Sequence, residues 1–325
     1  MGIKQLNRYI VEKCKKSSIC KQKMEILRDK TVVIDTSIYM YKYHAQNALI
    51  ENFYLLLSIF HKYHITPIFI FDGKPPVEKY ELLKQRKADK CEAENRFTEL
   101  QLQLETENDV TIRNNLTSEM NSLKRQFIRV SQSDNKVVKR LIESYGAMYY
   151  EANGEADRVC AYMVTSGKAW ACLSDDMDMF VYGCNRVLRH LSVINETVLL
   201  YNMDNILTDL KMSMTEFRQI TVVSGTDYNI NEETNLIETL RWFREYTNEM
   251  NKQTCNETNK ISFYAWLVSK TKYVRNYESL SAIYEMFVLD NSSYPELDEL
   301  NITLNQHYDV NKLHEIMKED GFIFA

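Results

Sequence analysis

The stretch Gly154–Gly183, GEADRVCAYMVTSGKAWACLSDDMDMFVYG, carries two acidic pairs at i, i+2 spacing, Glu155 with Asp157 and Asp176 with Asp178. Between the pairs, Val159 to Val164 has the length and apolarity of a helical segment, and Ala169-Trp-Ala-Cys-Leu173 reads as a buried strand ending at the second pair. Four carboxylates beside a buried strand repel one another, and taking such a group from water without a partner costs several kcal/mol. Cations hold such a set together. Hard divalent ions with oxygen ligands, chiefly Mg²⁺ or Mn²⁺, suit it. A lone D-x-D also fits a solvated turn or a sugar-nucleotide transferase, so the rest of the chain must decide.

Upstream, Thr31-Val-Val-Ile34 is a β-branched run ending at Asp35, and Pro67-Ile-Phe-Ile-Phe71 is a second run ending at Asp72-Gly73. Ser37 to Tyr63 is apolar and aromatic enough for a helical crossover, which makes the strand-helix-strand unit of parallel sheets. Ala147-Met-Tyr-Tyr150 is a third strand just ahead of Glu155, and the Ala169 run is a fourth. Ligands of open α/β sheets bind outside the carboxyl ends of the strands, so Asp35, Asp72, Glu155, Asp157, Asp176 and Asp178 are expected in one crevice. A solvated turn would have to be invoked separately at each strand end.

The first thirty residues hold nine Lys+Arg against three acids and read as a helix followed by a basic loop. No glycine occurs between Gly73 and Gly146, and the charged text from Lys79 to Glu143, with its polar middle LETENDVTIRNN, predicts a long helical hairpin. Lys79 and Arg86, seven apart, fall on one helix face, with Lys84, Lys87 and Lys90 nearby. Lys124 to Arg140 is a second basic stretch, and the two arms together make either a positive collar above the carboxylates or a solvated charged hairpin. Farther on, Arg186 to Leu191 and Thr197 to Tyr201 are expected strands. A helix near Met214 to Val223 leads to Ser224-Gly-Thr-Asp-Tyr228, where Asp227 is a seventh candidate ligand. The helical text beyond it has Trp242, Phe243, Trp266, Tyr284 and Phe287 as its expected core.

The chain of 325 residues is 45% apolar and 11% aromatic, enough for one large or two small globular domains. No run approaches the length of a membrane span and the first residues lack a signal core, so an intracellular protein without a membrane partner is expected. Seven cysteines without a C-x-x-C indicate neither a disulfide framework nor a zinc site. The net charge of -5 divides into a basic part up to residue 140 and an acidic remainder, as a polyanion-attracting surface joined to a cation-gathering site would.

Met1-Gly2-Ile3, VVIDTSIYMY at 32–41, IFIFDGKPP at 68–76, GEAD, LSDDMD and GTDY occur in the order found in the flap endonuclease family, the structure-specific 5′ nucleases that include the xeroderma pigmentosum G type, which this chain resembles nearly end to end. The resemblance implies a PIN-like α/β fold, a central mostly parallel sheet flanked by helices, with a helical arch and a helical C-terminal region. Its implied divisions are 1–78 and 146–228 for the nuclease, 79–145 for the arch and 229–325 for the helical remainder. It further implies two Mg²⁺ or Mn²⁺ ions, one on Asp35, Asp72, Glu155 and Asp157 and the other on Asp176, Asp178 and Asp227. Lys79 and Arg86 match the family's catalytic basic pair, Tyr41 an aromatic that stacks on a terminal base (its alternative is a core tyrosine), and Arg125 and Arg129 basic arch residues. Lys84 and Lys87 are expected nucleic-acid contacts, and Gly2 would lie at the junction of the duplex arms.

The implied activity is hydrolysis of DNA at 5′ flaps, overhangs or nicks, with 5′ phosphate and 3′ hydroxyl products, in replication, repair or recombination. An RNA-cleaving relative and a silent nucleic-acid scaffold are the alternatives. Asp157 stands where the family usually has Glu. After GTDY, Asn229 to Leu236 replaces a glycine-rich helix-hairpin-helix, which leaves positive-φ turns to Asn231 or Asn235 and gives its K⁺ ion little support. No sliding-clamp motif is visible, a monomer is expected, and the residue bias suggests a large DNA virus and action in the nucleus or at a viral replication site.

Overall fold

The computed structural model describes residues 3–229, 233–252, 261–290, 294–298, 302 and 308–322. Seven strands form one sheet: β1 Ile19–Lys23, β2 Thr31–Asp35, β3 Thr66–Phe71, β4 Met148–Glu151, β5 Ala171–Leu173, β6 Arg186–Ser192 and β7 Thr197–Asn202, in the order β1-β7-β6-β5-β2-β3-β4. The five strands from β6 to β4 run parallel, while β6–β7 and β1–β7 are antiparallel. The expected mostly parallel α/β sheet is therefore present.

The helices are α1 Leu6–Lys13, α2 Thr36–His44, α3 Leu49–Lys62, α4 Tyr80–Thr106, α5 Val110–Lys124, α6 Gln132–Ser144, α7 Ala156–Thr165, α8 Asp178–Tyr182, α9 Met203–Leu210, α10 Met214–Val223, α11 Leu236–Lys252, α12 Phe263–Lys270, α13 Tyr277–Met286, α14 Pro295–Asp298 and α15 Val310–Glu319. Strand alternation sends Val33, Ile68, Ile70, Cys172 and Val187 into one core with α7, α8 and α10. Val32, Ile34, Phe69, Leu173 and Leu188 enter the other, with α2, α3, α6 and α15. Both faces are covered, which is why these strands read as continuous apolar runs. Among the C-terminal residues, Phe243, Trp266 and Phe287 are buried and Trp242 and Tyr284 partly so.

The chain goes from β2 to β3 and β4 on one side and returns to β5 on the other, so the order reverses at β2. Such a switch point opens a crevice at the carboxyl ends. Above it, α4 and α5 pair as the expected hairpin. Asp109 caps α5 by accepting from the backbone N–H groups of Thr111 and Ile112, and Phe97 meets Phe127 edge to face at 5.5 Å. No described helix is long and apolar enough to cross a membrane.

Three expectations are corrected. The basic loop before Lys30 contains β1, a margin strand whose exposed Lys21 and Lys23 disguise its pairing with β7. The crossover expected as one helix from Ser37 to Tyr63 is two, because the chain turns at Asn47 with φ 51°; asparagine tolerates that left-handed conformation. The strand expected from Ala169 begins at Ala171, since Gly167 turns at φ 78° and the Ala169 N–H donates to the Met163 carbonyl at 2.8 Å, ending α7 rather than entering the sheet.

Candidate metal centre and nucleic-acid interface

Asp35 is the last residue of β2, and Asp72 follows β3 directly. Glu155 and Asp157 open α7 after β4, Asp176 lies between β5 and α8, Asp178 is the first residue of α8, and Asp227 follows α10. Asp35, Asp72, Glu155, Asp157, Asp176 and Asp227 line one crevice of about 300 Å³ with Tyr41, Lys79 and Arg86. Asp178 lies deeper, 2% exposed. Its backbone N–H donates to Asp176 Oδ1 at 3.1 Å, while its own Oδ1 is buried without a hydrogen-bond partner.

Among the described residues, no three His, Cys, Asp or Glu side chains are already drawn into a ready ligand set. Two cations stand between the acids instead. Lys79 Nζ is 2.5 Å from Glu155 Oε1 and 4.0 Å from Asp227 Oδ2, and Arg86 donates to Asp227 Oδ2 at 2.8 Å. Burial pulls the Lys79 pKa down, but Glu155 and the other acids outweigh it and hold the ammonium above its ordinary value. Burial, then Asp72 and Asp176, pushes Asp35 up to about 7. Burial followed by Asp35 raises Asp157 well above the usual range, and burial followed by Asp176 raises Asp178. An all-oxygen donor set with costly negative charge and an orphaned buried carboxylate oxygen fits divalent cations.

A carboxyl whose pKa is higher folded than unfolded contributes stability that is full below its unfolded value and lost as pH rises through the folded one. For Asp35 that window runs from 3.8 to about 7. Cations bound to the folded state oppose the loss. Mg²⁺ or Mn²⁺ is therefore expected to raise the melting temperature more at pH 8 than at pH 5, as scanning calorimetry with and without chelator can measure. An equal rise at both pH values would count against cation binding at these carboxylates.

Side chains beyond the candidate acids brace the crevice. Ser174 Oγ donates to Asp35 Oδ2 at 3.0 Å and accepts from the Asp176 N–H at 3.1 Å, tying the ends of β2 and β5. Tyr228, whose pKa burial, Tyr182 and Glu155 push up, stays a phenol and donates to Glu155 Oε2 at 2.6 Å. Arg189 on β6 donates to the Asp175 carbonyl at 2.7 Å and to Asn7 Oδ1 at 2.6 Å, fixing the loop that carries Asp176. Ser174 and Tyr228 lie inside LSDDMD and GTDY, so their neighbours in the sequence were the available signal.

Gly73 is the tightest point. Its N–H donates to the Gly154 carbonyl at 2.7 Å, and a Cβ there would lie 1.8 Å from the Ala152 carbonyl oxygen. Backbone atoms cannot swing aside. Gly73→Ala is therefore expected to destabilise by about 1–3 kcal/mol and to blunt stabilisation by Mg²⁺, because it parts Asp72 from Glu155. Denaturant titrations with and without Mg²⁺ check both effects.

Tyr41 is 45% exposed, with Lys90 Nζ 5.1 Å from its ring centre, so it is not a core tyrosine. Lys84, Lys87, Arg125 and Arg129 are exposed, and Arg129 donates to Glu94 at 2.6 Å. Gly2 and Asn231 lie outside the described residues. Asn235 is not the left-handed turn residue expected. It opens α11, its Oδ1 accepting from the Glu238 N–H at 3.0 Å, a role asparagine fills well.

A mostly parallel sheet whose strand ends gather acids beneath a charged helical hairpin, with Lys79 and Arg86 set among those acids, defines a 5′-nuclease-type architecture. The XPG N-terminal domain matches residues 1–93 and the XPG I-region residues 146–227. The chain belongs to the XPG and flap endonuclease family, whose members are divalent-metal-dependent nucleases. It is 29% identical over 283 residues to the probable RAD2-like endonuclease 369L of Invertebrate iridescent virus 6, covering 71% of this chain and 68% of that protein. It is 30% identical over 250 residues to flap endonuclease 1 of Candida glabrata and 28% over 252 to that of Glycine max. Those alignments cover 70% of this chain and span only 61% and 62% of the two relatives. The fold is that of the Rad2 catalytic core (TM-score 0.62, 19% identity, 99% and 96% covered) and of flap endonuclease-1 from Methanococcus jannaschii (0.54, 22%, 94% and 98%).

Proposed function

We propose that the chain is a structure-specific 5′ nuclease that hydrolyses DNA at 5′ flaps, overhangs or nicks and leaves a 5′ phosphate and a 3′ hydroxyl. The observation that carries this reading is the crevice in which acids from four strand ends meet Lys79 and Arg86 below the helical hairpin. Asp35, Asp72, Glu155 and Asp157 would hold one Mg²⁺ or Mn²⁺, and Asp176, Asp178 and Asp227 a second. The chemistry such a pair supplies is Lewis-acid charge at the scissile phosphate and a lowered proton affinity of water.

The chain's own residues do the rest. Lys79 and Arg86, held by carboxylates in the free protein, turn to the incoming phosphate and neutralise it. Tyr41 offers its exposed ring to a terminal base, where stacking is worth about 1–3 kcal/mol. Tyr228 and Ser174 keep Glu155 and Asp35 aimed into the crevice. Lys84, Lys87, Arg125 and Arg129 attract the backbone on the hairpin side. Similarity to the iridescent virus protein supports action at a viral replication site.

Flap, 5′-overhang, nicked and single-stranded DNA, with matched RNA, incubated with Mg²⁺ or Mn²⁺, test the reading. Cleavage of 5′-ended DNA with a 5′ phosphate on the product is expected. Preferential cleavage of RNA would replace the DNA assignment, and binding without any cleavage would make the chain a scaffold.

A further inference from the structure

A second cavity, of about 460 Å³, lies on the hairpin side of the crevice and is lined by His44, Glu94, Lys124, Arg125, Phe127 and Arg129, among others. Its size suits a small ligand. It is joined to the crevice by neighbouring side chains. Tyr41 lines the crevice and His44 the cavity, on the same helix and within one turn, a rise of about 5 Å. Arg86 and Lys90 follow the same direction at i, i+4 spacing on α4. Lys90 stands over the Tyr41 ring and donates to the Ile128 carbonyl at 3.2 Å, in the wall of the cavity. Burial, then Arg129 and Arg86, lowers the Lys90 pKa, a sign that the cations are crowded.

The charges in the cavity are unevenly used. Arg129 is engaged by Glu94 at 2.6 Å, and His44 faces Asp134 at 3.8 Å. Lys124 and Arg125 have no side-chain hydrogen bond or ion pair to any described residue, though both border the cavity. Two uncommitted cations at the mouth of a ligand-sized cavity match a group of nearly two negative charges. A terminal phosphomonoester carries about that at neutral pH, whereas an internal diester carries one. The Glu94 carboxylate in the wall opposes a continuous polyanion threaded through.

We propose that this cavity binds the 5′-terminal phosphate of the strand whose adjoining base rests on Tyr41, so that the protein distinguishes a 5′-phosphate end from a 5′-hydroxyl end. The inference rests on the nuclease reading for the placement of the strand. The binding itself does not require cleavage. Lys124 and Arg125 supply charge-assisted hydrogen bonds to the phosphate oxygens, and Phe127 forms apolar wall.

The test uses the full chain and two short 5′-overhang duplexes identical except for a 5′ phosphate or a 5′ hydroxyl. Affinity is measured by fluorescence anisotropy in chelator, and single-turnover cleavage with Mg²⁺. The phosphate end is expected to bind at least about tenfold more tightly, and inorganic phosphate should compete with it. In Lys124→Gln and Arg125→Gln, both surface changes, the ratio between the two ends should fall towards one. A ratio near one in the parent, or a ratio unchanged in both variants, overturns the proposal. Discrimination in binding with no cleavage of either duplex upholds the cavity's role while removing the nuclease reading, so the two failures are distinct.

Discussion

Asp178→Ala is expected to lose cleavage by more than about a hundredfold while its affinity for DNA stays close to the parent's. Loss of a group that merely supports a metal ligand costs about 10- to 100-fold, and Asp178 is proposed as a ligand itself. It is 2% exposed and touches no surface a phosphate can reach, so binding has little reason to change. The same variant should make the cation-free protein more stable, because a buried carboxylate raised by burial and by Asp176 and Asp227 is removed. The increment that Mg²⁺ adds should shrink. Single-turnover cleavage, anisotropy and calorimetry read the three effects separately. Cleavage within tenfold of the parent, or a lowered melting temperature in chelator, would sink the assignment.

Lys79→Ala should slow single-turnover cleavage by about 10²- to 10³-fold, the scale of losing one group preorganised toward developing charge. An opposite effect should accompany it. Lys79 is 7% exposed and bound to Glu155, so in the free protein it competes with any divalent ion for that carboxylate. Its removal should lower the Mg²⁺ concentration needed for half-maximal stabilisation even as the rate collapses. Arg86→Ala should act in the same direction but less, because its side chain is 40% exposed and engages only Asp227 among the described acids. Equal losses of rate and DNA affinity would make both residues docking charges alone.

The strand ends were legible because apolar β-branched runs stop at acids, and burial on both faces leaves little else for such runs to be. The hairpin was legible for the opposite reason: a long glycine-free text with a polar middle admits a turn only there. Features that depend on remote partners were not legible. Ser174 finds Asp35 across 139 residues and Tyr228 finds Glu155 across 73, contacts that no local periodicity encodes. Nor could spacing reveal that Lys79 and Arg86 rest on the acids themselves, since a shared helix face does not say what it faces. β1 escaped because alternating lysines resemble a solvated loop until β7 lies beside them.

That margin strand has a bearing on how the protein behaves when concentrated. The outer side of β1 carries backbone groups that no neighbouring strand of the sheet satisfies, an invitation for the same segment of a second molecule to add on. Lys21 and Lys23, two apart and exposed on one face, would meet their own like charges in that approach. Lysines on a sheet margin discourage templated self-association in this way. The charges that give this strand the look of a solvated loop also keep it from recruiting its copies.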